Sequence, residues 1–350
     1  MTKGDIYTKE ITKKILDEGC LDVNPRPHWL DGTPAHNYSI NGVMTQYDLD
    51  KGETPVSTLR PMAIKAAIGE ILWIYRDMDN NVFNLEMKYK VRWWRSWVIN
   101  PYHYDEFGRL IKGANPHLKE GFYYDKAGHK LDIIPKGTKG VKSDTVDPIS
   151  DYDGENILDS ESGNVLTKDA TIGSTYGAII RRYDLMNRTR QGLIDLPDSR
   201  YHIINMWQEI DFSELYGLKP CAFMTQWHVR HGRDGVDYLD MELHQRSSDF
   251  VVAGTINQVQ YVVLLYMVAH DLGLKVGRFT WFVGNIQIYD RHIDKAREIM
   301  SRSSVDCEPY FAINEAANWD NMMPDDVILQ HYPDKLIKKK NPQISLEVAI

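Results

Sequence analysis

The chain is expected to fold as an α+β protein, with a mixed, mostly antiparallel sheet covered by a few long helices. Three observations carry this expectation. Strand-like runs crowd the centre of the chain: HIINMW (202–207), CAFMTQWHV (221–229), DYLDMELHQ (237–245) and RFTWFVGNIQIY (278–289). The second and third are joined only by a Gly/Asp-rich turn, RHGRDG. Two long apolar stretches, at about 62–76 and 256–270, read as helices covering these strands. No GxGxxG or P-loop spacing occurs, so a doubly wound or Walker-type nucleotide fold has no local support.

The elements follow in order. Ile6, Ile11, Ile15 and Leu16 recur at helical spacing, and Gly19 is a stop. MAIKAAIGEILWIYR (62–76) is a helix apolar on most sides, with Glu70 in its middle. A carboxylate there must be paired, hydrogen-bonded or neutral. Residues 99–168 differ in texture, being rich in Gly, Asp, Tyr and Lys. YDEFGRL (104–110), YDKAGHKL (124–131) and DSESGNVL (159–166) read as hairpins, so the stretch is taken as an insertion into one domain spanning 1–350. A helix near 178–193 then leads through DLPDSR into the central strands, and HIDKAREIM closes the pattern as a further helix.

Composition bounds the function. The 350 residues are 43% hydrophobic and 26% charged, which is ordinary globular usage. The net charge of −8 argues against bulk nucleic-acid binding, so an anionic ligand needs a local arginine cluster. The N-terminus does not read as a signal peptide, and no unbroken apolar run approaches the roughly 20 residues of a membrane span. Cys20, Cys221 and Cys307 are too scattered for a disulfide framework and form no CxxC pair. A reducing, cytoplasmic setting is expected, with no metal and no membrane partner.

Cys221 directly follows a proline and lies inside the strand read over 221–229. Alone it reads either as a small buried hydrophobe or as a nucleophile needing a nearby cation. Strand pairing can bring QRSSD (245–249) alongside, which makes Arg246 a candidate both to stabilise a thiolate and to grip an anion. The run continues with Asn257, Tyr261 and GNIQIYDRHID; upstream stand GEILW (69–73), WRSW (94–97), IGSTYG (172–177) and DSR (198–200), and the chain ends in VAI.

In this order and spacing the sequence closely resembles the folate-dependent thymidylate synthase family, over nearly the whole chain except about 99–168. DGTPAHNYS (31–39) and QWHVRHG look like its Gram-positive and phage branch. The resemblance implies a homodimer with sheets packed back to back. It implies dUMP as substrate and 5,10-methylenetetrahydrofolate as donor of both a carbon unit and a hydride. Cys221 is then the thiolate adding to uracil C6 and Glu70 the organiser of proton transfer. Tyr176 is associated with proton removal from C5, and Arg246 and Asp249 complete the catalytic set. Arg26, Arg246 and Ser247 would hold the phosphate, with Arg200 reaching in from the partner subunit. Asn257 would read the uracil edge, and Gln287 and Tyr289 the sugar. Trp94, Trp97, Asp249, Val252, Arg60, Val348, Ala349 and Ile350 would receive the folate.

Several positions depart from the family pattern. Gln287 stands for a histidine, Asn285 for an aspartate, Tyr201 for a second arginine and Arg95 for an aspartate between the tryptophans. One phosphate-site charge fewer per subunit implies weaker dUMP binding than in a typical relative. The departures keep open a dUMP hydroxymethylase, in which water captures the exocyclic methylene. They also keep open a non-catalytic nucleotide- or RNA-binding relative.

Overall fold

At the centre of the molecule two long strands, Asp237–Asp249 and Lys275–Tyr289, run parallel, with Ser247 opposite Asn285 and Asp249 opposite Gln287. In this computed structural model, residues 1–99, 102–104, 110–112, 123–124, 130–131, 157–158, 165–212 and 217–349 are described. Every other pairing in the main six-stranded sheet is antiparallel. Its order is Cys20–Leu21, Asn37–Asp48, Lys275–Tyr289, Asp237–Asp249, Ala222–His231 and Ile203–Asn205. Parallel neighbours need a crossover, and the helix Thr255–Asp271 supplies it.

That helix is buried on nearly all sides, from Val259 through Ala269, and it packs on the helix Ile64–Ile71 that carries Glu70. Trp73, Trp227, Trp281, Tyr47 and Phe279 are fully buried around it. Together with its preceding π-helical turn, Phe250–Asp271 is 22 residues long and apolar enough to cross a membrane, which the unbroken-run criterion missed. It lies mostly inside the protein, as core helices of comparable length do.

Both helices bordering the site are irregular at one end. Ile64–Ile71 continues as a π-helical turn over Leu72–Arg76, and another over Phe250–Gly254 precedes Thr255. Such turns re-aim side chains and recur at functional sites. The first helix, Lys3–Glu18, is capped by Thr2 and anchored by the buried Asp5, which accepts from Ser57 Oγ and from Thr58 N and Oγ1 at 2.7–2.8 Å. These bonds fix the loop leading to Arg60.

The structure differs from the sequence expectation in two places. The helix expected over 178–193 is two, Gly177–Tyr183 and Leu185–Asp195, broken at Asp184, whose φ of +50° Asp tolerates better than most residues. The strand expected over 202–207 is confined to Ile203–Asn205. The described parts of the insertion pair antiparallel as Tyr104 with Leu110, Tyr124 with Lys130 and Leu158 with Val165, as hairpins at the three quoted segments require.

Candidate active site

Cys221 and the Asp237–Asp249 strand meet at an irregularity. Ala222 pairs with Gln245 but the register shifts before Met224, and Arg246 N donates to Cys221 O at 2.8 Å. The bulge turns the thiol end of the strand towards a cavity of about 540 Å³. Arg246 wraps the same corner. Its Nε donates to Pro220 O, its Nη2 donates to Lys219 O, and Nη2 lies 3.4 Å from Cys221 Sγ. Burial nevertheless pushes the Cys221 thiol up, and the opposing effects of Arg246, Tyr176 and Arg26 do not offset it. The thiol thus lies beside a cation that favours its ionisation, within a burial that opposes it.

Tyr176 closes the other side. Its hydroxyl accepts from Cys221 N at 2.8 Å, and its backbone has a φ of +46°. A non-glycine residue there is strained, and the next position admits only glycine, since a Cβ on Gly177 would lie 2.0 Å from Asp79 O.

Glu70 lines the cavity roof, 7% exposed, and accepts three hydrogen bonds from neutral donors: Trp93 Nε1 at 2.6 Å, Trp94 Nε1 at 2.9 Å and Gln260 Nε2 at 2.7 Å. Among the described residues no cation pairs with it at salt-bridge distance; desolvation outweighs these donors and its pKa is pushed up to about 7. That is the range in which a carboxyl both gives and takes protons near neutral pH.

Asn257 faces the same space from the start of the long helix. Its Oδ1 accepts from Gln245 Nε2 at 3.2 Å and its Nδ2 donates to Gln260 Oε1 at 2.9 Å. Asp249 ends its strand by accepting from Val252 N, and burial pushes its pKa up to about 7. Ser247 Oγ and Gln287 approach at 3.3 Å, with Tyr289 beside them in the wall.

Arg26, Arg60, Trp94, Trp97, Val252, Val348 and Ala349 line the cavity as well. Arg60 Nη2 donates to Val252 O, and Ala349 packs with Trp29 and Ala35. Arg200 is exposed and does not line this chain's cavity. Ile350 lies outside the described residues. Arg95, the replacement between the tryptophans, points away from the cavity and pairs with buried Glu86.

Three contributors were missed from sequence: Trp93, Gln245 and Gln260. Gln260 carried one usable signal, its place three residues beyond Asn257 on one helix, which puts both on the same face. The arrangement offers a nucleophile, an anion clamp, a tunable acid and an amide that reads a ring edge. Its other end is aromatic and apolar enough for a second, flat ligand.

The thymidylate synthase family model matches residues 6–350. The chain is 35% identical to a thymidylate synthase of Streptococcus thermophilus (strain ATCC BAA-491 / LMD-9) and 34% identical to one of Lactococcus lactis subsp. cremoris (strain SK11), each alignment covering 100% of both chains. Its fold superposes on thermostable thymidylate synthase A from Bacillus subtilis with a TM-score of 0.70, at 25% identity and covering 99% of each chain.

Proposed function

The chain belongs to the thymidylate synthase family, and from that membership we infer that it methylates dUMP to dTMP, consuming 5,10-methylenetetrahydrofolate and releasing dihydrofolate. The observation that carries the reading is the convergence of Cys221, Arg246, Glu70 and Asn257 on one cavity. Uracil C5 is a poor nucleophile. Addition of Cys221 Sγ at C6 makes the ring an enolate that attacks through C5. The folate supplies the carbon unit and, in the last step, the hydride. In this reading Glu70 moves protons at O4 and the departing folate nitrogen, and Tyr176 assists removal of the C5 proton. Loss of the ring's bond to sulfur then regenerates the thiol.

Arg246, Ser247 and Arg26 hold the phosphate, and Asn257 pairs with N3–H and O4. Trp94, Trp97, Val252 and the chain end receive the folate, with Asp249 on the pterin and Arg60 near its glutamate tail. The hydroxymethylase alternative is not favoured, because the full-length relatives carry synthase names.

The reading includes a homodimer. The outer face of the main sheet supports it. Met44 is 55% exposed there, and Phe282 stacks on His244 with ring centroids 4.9 Å apart. Arg200, exposed and not among the residues lining its own cavity, can serve a two-fold mate. Three unpaired cysteines support a reducing, cytoplasmic setting.

Incubation with dUMP and methylenetetrahydrofolate, with products read by mass and absorbance, tests the reading. Formation of dTMP with dihydrofolate is expected. Hydroxymethyl-dUMP without dihydrofolate, or no product, overturns it.

A further inference from the structure

Gln260 is 3% exposed and joins two parts of the site that the reaction uses separately. Its Oε1 accepts from Asn257 Nδ2, and its Nε2 donates to Glu70 Oε2. The chain of bonds extends behind Asn257. Trp281 Nε1 donates to Gln245 Oε1 at 2.9 Å, and Gln245 Nε2 donates to Asn257 Oδ1. The ends of an amide are interchangeable in shape, so its orientation is set by its partners. The Trp281 end of the relay is unambiguous, because an indole N–H only donates. Each amide from Gln245 through Asn257 to Gln260 therefore has one orientation, which leaves the Gln260 N–H directed at Glu70.

We propose that Gln260 is a positioning residue for the reaction inferred above, holding Asn257 in the orientation that accepts uracil and rejects cytosine while it orients Glu70 for proton transfer. The inference rests on that reaction. Uracil presents N3–H and O4, whereas cytosine presents a bare N3 and an N4 amino group. An amide that reads the first must be turned over to read the second. Turning Asn257 would set its nitrogen against Gln245 Nε2 and its oxygen against Gln260 Oε1. Each buried group left unsatisfied in this way is worth about a tenfold to hundredfold preference.

The second half concerns Glu70. Gln260 is one of its three donors, so removing that N–H leaves the ionised form less stabilised and moves the titration upward. The other titratable or charged groups around it are Tyr261 on the helix of Gln260, Tyr75 on its own helix, and Tyr176, Cys221 and Arg246 across the cavity. The three tyrosines are held neutral by burial, with pKa values pushed well above their usual range.

Two variants separate the two halves. Gln260→Met keeps length and approximate volume but no polar atom. Gln260→Glu keeps an acceptor for Asn257 and loses the N–H for Glu70. The measurements are dTMP formation against pH and the dissociation constants of dUMP and dCMP by calorimetry. In Gln260→Met the pH limb set by Glu70 moves upward by about 0.5–1 unit, and the preference for dUMP over dCMP falls by about tenfold or more. In Gln260→Glu the limb also moves upward, while the preference is retained. An unmoved limb in both variants, or an unchanged preference in Gln260→Met, overturns the proposal. Should Gln260→Met fail to fold, the limb of Gln260→Glu decides alone. If the wild-type protein forms no dTMP, the inferred reaction fails, and the dUMP and dCMP affinities of the Met variant still decide whether Gln260 sets base preference.

Discussion

Arg246 Nη2 lies 3.4 Å from Cys221 Sγ while the same guanidinium holds the carbonyl oxygens of Lys219 and Pro220. The cation is thus fixed to the backbone that presents the thiol, and its distance from sulfur does not depend on a mobile side chain. A lysine cannot hold that planar fork. Arg246→Lys is therefore expected to lower kcat by roughly a hundredfold and to move the thiol's titration upward, because a lysine keeps the charge but not the fork that holds it beside the sulfur, and that nearby charge is the largest influence lowering the thiol's pKa. A pH–rate profile of the variant checks both effects. Cys221→Ala is expected to abolish dTMP formation and leave dUMP affinity within a few-fold of wild type; retained turnover would remove the covalent mechanism.

Asp249 gives a stability prediction with a definite sign. Its folded pKa is raised from 3.8 to about 7 by burial. The folded protein therefore keeps a proton that the unfolded chain has released, and the site's contribution to stability falls as pH rises from 3.8 towards 7. Asp249→Asn carries no such dependence. The stability of the variant relative to wild type should rise by about 2–3 kcal/mol between pH 5 and pH 8. Urea unfolding at both pH values and one protein concentration measures it. Equal differences at the two pH values would mean that Asp249 is not held neutral.

Much of this site was legible because its chemistry is concentrated along one stretch of chain. Arg246, Asp249 and Asn257 fall within a strand and the helix that follows it, and Cys221 immediately precedes the paired strand. What was not legible needed three-dimensional direction. Gln260 looks like any polar residue on an apolar helix until its two partners are seen. Trp93 stands just outside the WRSW segment, yet it is 41% exposed and donates to Glu70. The arginine beside the thiol was visible in the pattern, but the dehydration that opposes it was not. The break at Asp184 is marked by neither glycine nor proline, so periodicity ran through it.

Tyr201 occupies the position where the family pattern has a second arginine, and it is 91% exposed beside exposed Arg200. If this segment serves the partner's phosphate site, Tyr201→Arg adds one charge-assisted contact there. Solvent exposure discounts its strength, so dUMP affinity should improve by about five- to tenfold at low salt and by less at high salt. Calorimetry at two ionic strengths tests this. No gain at low salt would show that residue 201 does not reach the nucleotide.

Arg291 fastens two segments that border the cavity. Its Nη1 donates to Glu347 Oε2 at 3.1 Å, and its Nη2 donates to Asp31 Oδ2 and Thr33 Oγ1 at 2.7 Å. The guanidinium also stacks over Trp29 at 4.9 Å. Leu30 N and His292 Nε2 bond to the same Glu347. The loop after Arg26 and the tail carrying Val348 and Ala349 are thereby tied together, although they lie at opposite ends of the chain. Such a rim-exposed pair contributes little to global stability. Arg291→Ala should leave the unfolding midpoint nearly unchanged and raise the KM for both dUMP and methylenetetrahydrofolate by about three- to tenfold, because both borders must be ordered again on binding. A rise in only one KM would mean that loop and tail move independently. A large fall in the midpoint would mean that Arg291 holds the fold itself.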